Sequence, residues 1–484
     1  MKDALRVPKY VLTVNSLLTT ANYESYLVGG SVRDALMGRE PQDWDITTNA
    51  TPEQIQEVFG EESFYDNSYG TVGVVVKIKD DSEEGFRNEV VHVTTYRSEG
   101  EYSDFRRPDA VEWGKTIRDD LQRRDFTINA IGLKITSSAG AKLKELSETI
   151  FVLEDMVSLN IGDYTIVDPY GGLVDLQKGV IRAVGEALER FHEDALRMLR
   201  AVRFHSQLGF SIESDTFEAI QEKAENITQI SGERIRDELW KILKSERAYE
   251  GFVMLDEVGL LKYILPEVVA GRGLDQRGHH LFDVFDHSMN ALKHCPSNDP
   301  IVRLAALLHD IGKPVTHEVR DGINTFYNHD IVGAKLVNQI SYRLHLSKKE
   351  REKLYTLVRF HMFTVDTIQT DAAVRRFIRK VGVENIADMV DLRIGDRLGS
   401  GTKDAEGWRL KEFKKRIEDL LMPTFTVKDL VIDGNDVMKI LQIKPGRQIG
   451  EILNQLFEEV LDDPEKNTRE YLEKRVLELR SHLN

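Results

Sequence analysis

A chain of 484 residues is too long for one ordinary core and divides into roughly two to four domains. Its formal charge of −16 argues against bulk electrostatic binding of nucleic acid, though not against a local basic groove. The single cysteine, Cys295, excludes a disulfide framework and a zinc–cysteine site and fits a reducing cytoplasm; no apolar run is long enough to span a membrane, and Met1-Lys2-Asp3 does not open a secretory signal.

In chain order, residues 9–22 have the spacing of a short amphipathic helix ahead of a strand at 26–28. Leu27-Val28-Gly29-Gly30-Ser31-Val32-Arg33-Asp34 then reads as that strand entering a glycine turn, which can aim backbone N–H groups at a phosphate. Asp43 and Asp45 follow at a spacing of two, which on a strand puts both carboxylates on one face. Such a pair suits Mg²⁺ ions bridging a triphosphate, with Arg33 as a forked phosphate donor nearby. Either signal alone is more often a plain loop or a solvated turn; the combination is far more specific. Thr51 caps a helix over 52–59 with Pro52 in its first position. The β-branched runs Gly70–Ile78 and Glu89–Tyr96 form a hairpin. Ser98–Trp113 is a charged loop, and Leu146–Leu159, inside an irregular stretch at 136–165, reads as an extra hairpin or arm. Asp168-Pro-Tyr-Gly-Gly turns into a helix, and from about 190 onward the chain has helical periodicity and no convincing strand.

Asp194, Arg197, Arg200 and Arg203 recur every three residues along one ridge of a helix that is otherwise apolar. A solvated basic face is the commonest fate of such a row, but this strip is narrow and its flanks are apolar. Adenine and cytosine share an exocyclic amine beside a ring-nitrogen acceptor; Asp194 can accept from the amine while Arg197 donates to the ring. Guanine and uracil mismatch both. Arg200 and Arg203 are placed to hold a triphosphate or close the pocket.

Further on, the histidines crowd together: His279, His280, His287, His294, His309, His317 and His329, with His309-Asp310 expected on an apolar helix spanning Leu304–Ile311. Beyond 404 the tail is helical, and Pro445-Gly446 opens a helix that could take a backbone phosphate.

These strings resemble the class II tRNA nucleotidyltransferase and bacterial poly(A) polymerase family. GGSVRDALMG with DWDITT, RRDFTINA at Arg123–Ala130, DPYGGLVDL at 168–176, EDALRMLRAVRF at 193–204 and a tail PGRQIGEIL all match it. The resemblance implies an α+β protein: a polymerase-β-like α/β head (1–185), a helical neck and body (186–270), an HD domain (271–403) and a helical RNA-binding tail (404–484). It implies catalysis at Asp43 and Asp45 with Mg²⁺, and nucleotide binding by Gly29, Gly30, Arg33, Arg124, Asp125, Asn129, Asp194, Arg197, Arg200 and Arg203. Arg124 would contact phosphate, and Asp125 and Asn129 would contact sugar or fix the loop. Ser231–Leu239, with Arg234 and Arg236, belongs to the body that approaches RNA. Ser98–Trp113 corresponds to a loop that reorganises the site between nucleotides, and Asp168–Leu176 to a hinge. In the HD superfamily pattern, His287, His309, Asp310 and Asp396 would hold a divalent transition metal or Mg²⁺, with His329 and His361 completing a second metal or binding phosphate.

The expected activity is therefore template-independent addition of CMP and AMP to the tRNA 3′ acceptor end from CTP and ATP, in the cytoplasm, with neither DNA nor a membrane as partner. One departure stands out: the family often has an acidic residue where this chain has His92. Addition of A alone, of CC alone or of a poly(A) tail remain open on the same fold. So do a chain acting chiefly as an HD phosphohydrolase and a non-catalytic tRNA binder.

Overall fold

A computed structural model describes residues 4–41, 43–67, 70–79, 86–98, 112–136, 151–153, 156–160, 163–276, 281–363, 370–402, 407–421 and 426–479, in two units, Met1–Ile264 and Leu265–Asn484. Residues 99–111 of the charged loop, 137–150, and 277–280 with His279 and His280 lie outside these residues.

Local chemistry builds the first unit much as read. Thr51 accepts from the Gln54 N–H, the Gln54 side chain returns to the Thr51 N–H, and Pro52 leads the helix Pro52–Phe59. The β-branched runs Thr71–Lys79 and Phe86–Thr95 pair antiparallel, burying Val72, Val74, Val76, Ile78, Val91 and Val93. They sit in a mixed sheet ordered Phe151–Leu153, Thr71–Lys79, Phe86–Thr95, Asp45–Thr48, Ser25–Val28, Gly132–Ile135, Tyr164–Val167, with Ser63–Asn67 also on Thr71–Lys79.

Register assembles the site. Val28 lies opposite Asp45 and opposite Gly132 in antiparallel pairs, and Asp45 is paired in parallel with His92. The glycine turn after Val28, the carboxylate of Asp45 and the segment Thr127–Asn129 ahead of Gly132 therefore arrive at one end of the sheet. The helical part of the unit packs Leu196–Leu208 on Gly232–Leu243 and Ala248–Glu257. An edge-to-face contact between Phe204 and Phe126, with centroids 5.7 Å apart, ties that helix to the segment beside the sheet.

In the second unit, Val284–His294 packs on Ile386–Gly399, and Pro300–Leu308 on Lys348–Phe360. The tail helices Gly434–Leu441, Arg447–Asp462 and Arg469–Leu479 close around their own core, including Val437, Leu456, Leu472 and Val476. Among the described residues no helix is long and apolar enough to cross a membrane.

Several expectations are corrected. Strands do occur after 190: Ser211–Ile212 pairs with Val180–Ile181, and Glu318–Arg320 pairs with Ile323–Thr325. The second pair turns through Asp321 and Gly322, both at positive φ (51° and 73°), an Asp-Gly hairpin signal legible in the sequence. Phe151–Leu153 and Met156–Asn160 are strands but not a hairpin; one joins the edge at Thr71–Lys79 in parallel, the other pairs with Ala4–Pro8. Each satisfies its backbone on a separate open edge, which period alone does not reveal. Asp43 precedes the strand, which begins at Asp45. Asp194 is not on the long helix: it sits at φ −144° between Ala187–Glu193 and Leu196–Leu208. His309 caps the helix Pro300–Leu308, and Asp310 follows in the turn.

Candidate functional site

Gly29 is where the backbone demands glycine. It has φ +81°, and a Cβ there would fall 3.0 Å from Arg124 Nη1 and 3.4 Å from Asp45 Oδ2. Asp43 and Asp45 both line a cavity of about 980 Å³ with Gly30, Arg33, Asn129 and Arg200. Burial raises the pKa of Asp45; Arg124 and His92 pull it down and Asp43 pushes it up. Among the described residues neither carboxylate has an ion pair, so a hard cation would relieve the repulsion and desolvation that they share. His92, the departure noted in the sequence, is paired opposite Asp45 on the neighbouring strand.

Arg33, Arg123, Arg124, Arg200 and Arg203 beside this pair are engaged by protein acids. Arg33 donates through Nε and Nη2 to Asp34, both at 2.9 Å, and through Nη1 to Asn129 Oδ1 at 2.8 Å. Asn129 in turn donates to Asp125 Oδ1 at 3.0 Å, and Arg200 Nε donates to Asp125 Oδ2 at 2.7 Å. Burial opposes ionisation of Asp125, but the Arg200 charge and the Asn129 hydrogen bond outweigh it and hold the carboxyl below its usual range. Of the two roles open to Asp125 and Asn129, the contacts here are those that fix the loop. Arg203 Nη1 pairs with Glu238 at 3.0 Å. Arg123 and Arg124 grip the buried Asp120 at 2.6 and 3.1 Å. The guanidiniums of Arg33, Arg200 and Arg203 lie 5.1, 5.6 and 4.2 Å from the Phe204 ring centroid.

A second cavity, about 340 Å³, joins Gly29, Gly30, Asp45, Arg124 and Arg200 to Asp194, Arg197 and Arg234. Asp194 Oδ1 accepts the Leu196 N–H at 3.0 Å, starting the long helix; Oδ2 accepts Arg234 Nη2 at 2.7 Å. A carboxylate has about four lone-pair sites, so Asp194 keeps acceptor capacity toward the cavity. Arg197 is braced by Glu193 at 2.5 Å and by the Arg123 carbonyl at 2.9 Å. The bracing acids Asp120, Glu193 and Glu238, and the hold of Arg234 on Asp194, escape sequence reading. Only the three- and four-residue spacings of Asp120 to Arg123 and Arg124 and of Glu193 to Arg197 carry a local signal.

The second unit holds a separate cluster. Nε2 of His287 lies 3.1 Å from Nε2 of His309 and 3.3 Å from both Asp310 Oδ2 and Asp396 Oδ1; His309 Nε2 lies 3.1 Å from Asp310 Oδ2. On the other oxygen, Asp310 Oδ1 is 3.4 Å from His329 Nε2 and 3.7 Å from His361 Nε2. The Nδ1 atoms of His309, His329 and His361 face the carbonyls of Ala306, Phe326 and Val358 at 2.7–2.8 Å, which leaves each Nε2 to the centre. Burial works against charge on His287, but hydrogen bonds to Asp310 and Asp396 raise its pKa to about 9, and both aspartates are held below their usual range. Gly312 is required beside this cluster, since a Cβ would fall 2.0 Å from the His329 carbonyl. His294 and His317 take no part: they bond to the Asn290 carbonyl and to Asn324.

Four family models match the chain, two of them over the regions that hold these sites. The poly A polymerase head domain covers residues 25–182 and the HD domain covers 277–398. A CCA-adding enzyme of Staphylococcus haemolyticus is 30% identical over 459 residues, 94% of each chain. An A-adding tRNA nucleotidyltransferase of Deinococcus radiodurans is 35% identical over 365 residues, 72% of this chain and 76% of that one. The crystal structure of the Bacillus stearothermophilus CCA-adding enzyme in complex with CTP superposes with a TM-score of 0.67 at 25% identity, covering 98% of both chains. The chain thus belongs to the class II tRNA nucleotidyltransferase and poly(A) polymerase family, in the form that carries an HD domain, and is a metal-dependent nucleotidyltransferase.

Proposed function

We propose that this enzyme adds CMP and AMP to the 3′ end of tRNA from CTP and ATP, releasing pyrophosphate. The observation that carries the reading is the cavity that joins Asp45 to Asp194 and Arg197. In it Asp194 accepts from an exocyclic amine and Arg197 donates to the neighbouring ring nitrogen, so protein side chains select cytosine and adenine without a template. Asp43 and Asp45 are the oxygen ligands for Mg²⁺, which when bound activates the RNA 3′-hydroxyl and neutralises charge on the leaving phosphates. Gly29 lets Arg124 approach the same point, where its guanidinium can meet phosphate. Arg33, Asn129, Asp125 and Arg200 form a pre-set chain of contacts that holds this wall still while nucleotides exchange. The lone Cys295, a free buried thiol, favours the cytoplasm. The test uses labelled CTP and ATP with a tRNA lacking its last three nucleotides, read on a sequencing gel. Three added residues in the order C, C, A support the reading; A added only to a tRNA ending in CC, or a long A tail, replaces it.

A second reading concerns the HD centre, where His287, His309, Asp310 Oδ2 and Asp396 form one ligand set and Asp310 Oδ1, His329 and His361 another. Mixed nitrogen and oxygen donors suit divalent transition metals. Metals bound there would polarise a phosphate ester and supply a nucleophilic water. Lys313, Arg393 and Arg397 line the adjoining cavity of about 610 Å³, where they can bind that ester's charge. Elemental analysis of the purified protein, beside hydrolysis of a nucleoside 2′,3′-cyclic phosphate, tests this; protein that takes up no divalent metal at these residues overturns it.

A further inference from the structure

The cavity beside the histidine centre has two kinds of lining. Lys313, Arg393 and Arg397 supply charge, the two arginines one turn apart on the helix Ile386–Gly399 that also carries Asp396. Tyr327 and Met362 supply apolar surface and are 66% and 61% exposed. One exposed apolar side chain needs no explanation, but these two flank one set of candidate ligands. Tyr327 stands two residues before His329, and Met362 directly follows His361. Local structure fixes both places. The Phe326 carbonyl accepts from His329 Nδ1 at 2.8 Å, Asn328 at φ 62° opens the helix His329–Arg343, and His361 caps the helix Lys348–Phe360. Resting on the phosphohydrolase reading above, we propose that Tyr327 and Met362 form a base-binding wall, so that the phosphate ester held at this centre is that of a nucleotide, free or at the end of an RNA strand, accepted whatever its base.

A nucleotide carries its base one sugar away from its phosphate. The apolar pair is likewise one or two residues from His361 and His329, and two residues of chain span at most about 7 Å. A cavity of about 610 Å³ admits a base and a sugar together. Phe326, which also lines it, is already occupied, since His317 stacks on it with centroids 5.6 Å apart. Tyr327 has Arg320 at 5.3 Å from its centroid and, among the described residues, no ring stacked on it. Such a ring offers a π-face to a base. Met362 adds a thioether that adapts to irregular apolar shapes and packs well on aromatic rings. The hydroxyls of Thr325, Ser400 and Thr402 donate to the carbonyls of Glu318, Asp396 and Arg397 at 3.1, 3.1 and 2.6 Å. Each keeps lone pairs that can accept from sugar hydroxyls. A bare phosphate or a sugar phosphate would leave the apolar lining unused. Stacking reads no hydrogen-bonding edge, so this wall tolerates guanine, which Asp194 and Arg197 in the first unit mismatch.

The experiment is titration calorimetry of the full-length protein loaded with Mn²⁺, with guanosine 3′-monophosphate and inorganic phosphate as probes. The binding lost in the double variant His309→Ala with Asp310→Ala is the part that belongs to this centre. There the wild type should bind guanosine 3′-monophosphate more tightly than phosphate, and adenosine 3′-monophosphate about as tightly as guanosine 3′-monophosphate. Tyr327→Ala should weaken both nucleotides by about 5- to 150-fold, the range of one base–aromatic stack, while phosphate affinity and Mn²⁺ content stay within about twofold. Tyr327→Trp should keep nucleotide affinity, and Met362→Ala should lose about 2- to 10-fold. Unchanged nucleotide affinity in Tyr327→Ala overturns the proposal. So does an equal loss of nucleotide and phosphate, which would make Tyr327 a support of the metal site. Dodecyl phosphate binding more tightly than the nucleotides, and through Tyr327, overturns it too, because the lining would then serve an alkyl chain. A short RNA ending in a 3′-phosphate that competes through Tyr327 makes an RNA end the source of the nucleotide; one that does not compete makes the source a free nucleotide. Protein that takes up no metal yet binds nucleotide through Tyr327 overturns the phosphohydrolase reading and keeps the wall, so the two fail separately.

Discussion

The two centres of this molecule treat buried carboxylates in opposite ways. In the first unit Asp43 and Asp45 have no ion pair among the described residues and burial raises the pKa of Asp45, while Arg123, Arg124 and Arg200 are given to other acids. In the second unit Asp310 and Asp396 sit among histidines and cations, and their carboxyls are held low against the cost of burial. The first arrangement leaves charge to be compensated from outside, as an oxygen-only site for a hard cation brought in with a triphosphate does. The second carries nitrogen donors pinned by backbone carbonyls, as a resident metal site does. A carboxylate cluster is therefore best read by its neighbours: what they have already neutralised, and which donors they add.

The largest effect that would break this contrast is at the bare pair. Asp43→Ala and Asp45→Ala should each lower single-turnover incorporation of CMP and AMP by about 10³-fold or more, since several kcal/mol of charge stabilisation is removed. RNA binding should be nearly intact, and retained incorporation at ordinary Mg²⁺ would falsify the metal assignment. Next comes the independence of the histidine centre. The double variant His309→Ala with Asp310→Ala should lose bound transition metal by elemental analysis and any hydrolysis of 2′,3′-cyclic phosphate, yet add nucleotides at the wild-type rate. A folded double variant that no longer adds nucleotides would show that the centres are coupled.

A smaller effect sharpens the base-reading side. Asp194→Ala and Arg197→Ala should each reduce discrimination of CTP and ATP over UTP and GTP by about 1–3 kcal/mol, and their combination should be less than additive. Arg200→Ala, whose partner is Asp125, should depress all four nucleotides alike. Uniform loss across four nucleotides in the Asp194 variant means that the residue serves only the helix start it caps at Leu196. Smallest is the brace: Arg234→Ala removes a partly exposed pair with Asp194 and should cost at most about 1 kcal/mol of the same discrimination. A larger loss, or one equal for all bases, would put Arg234 in contact with the nucleotide or make it purely structural.

Much of this protein was determined by residues acting on near neighbours. The Thr51–Gln54 cap, the Thr71–Lys79 and Phe86–Thr95 hairpin, and the glycine turn before the carboxylates follow from spacing and side-chain type, because their partners lie a few residues away or along one period. The Asp-Gly turn at 321–322 was equally legible and shows that a weak strand can hide between helices. Only the tertiary structure decided what each arginine does. Arg200 meets Asp125 across 75 residues, Arg203 meets Glu238 across 35, and Arg234 meets Asp194 across 40. The row read as one ridge, with Asp194 and Arg197 for the base and Arg200 and Arg203 for phosphate or pocket closure, is divided among these acids, and Asp194 leaves the helix altogether. His287, His309, His329 and His361 likewise converge from four separate segments onto Asp310. The physical reason is that burial makes an unpaired charge costly, so each charge takes the partner that packing brings near, and packing joins segments whose separation along the chain no local pattern records.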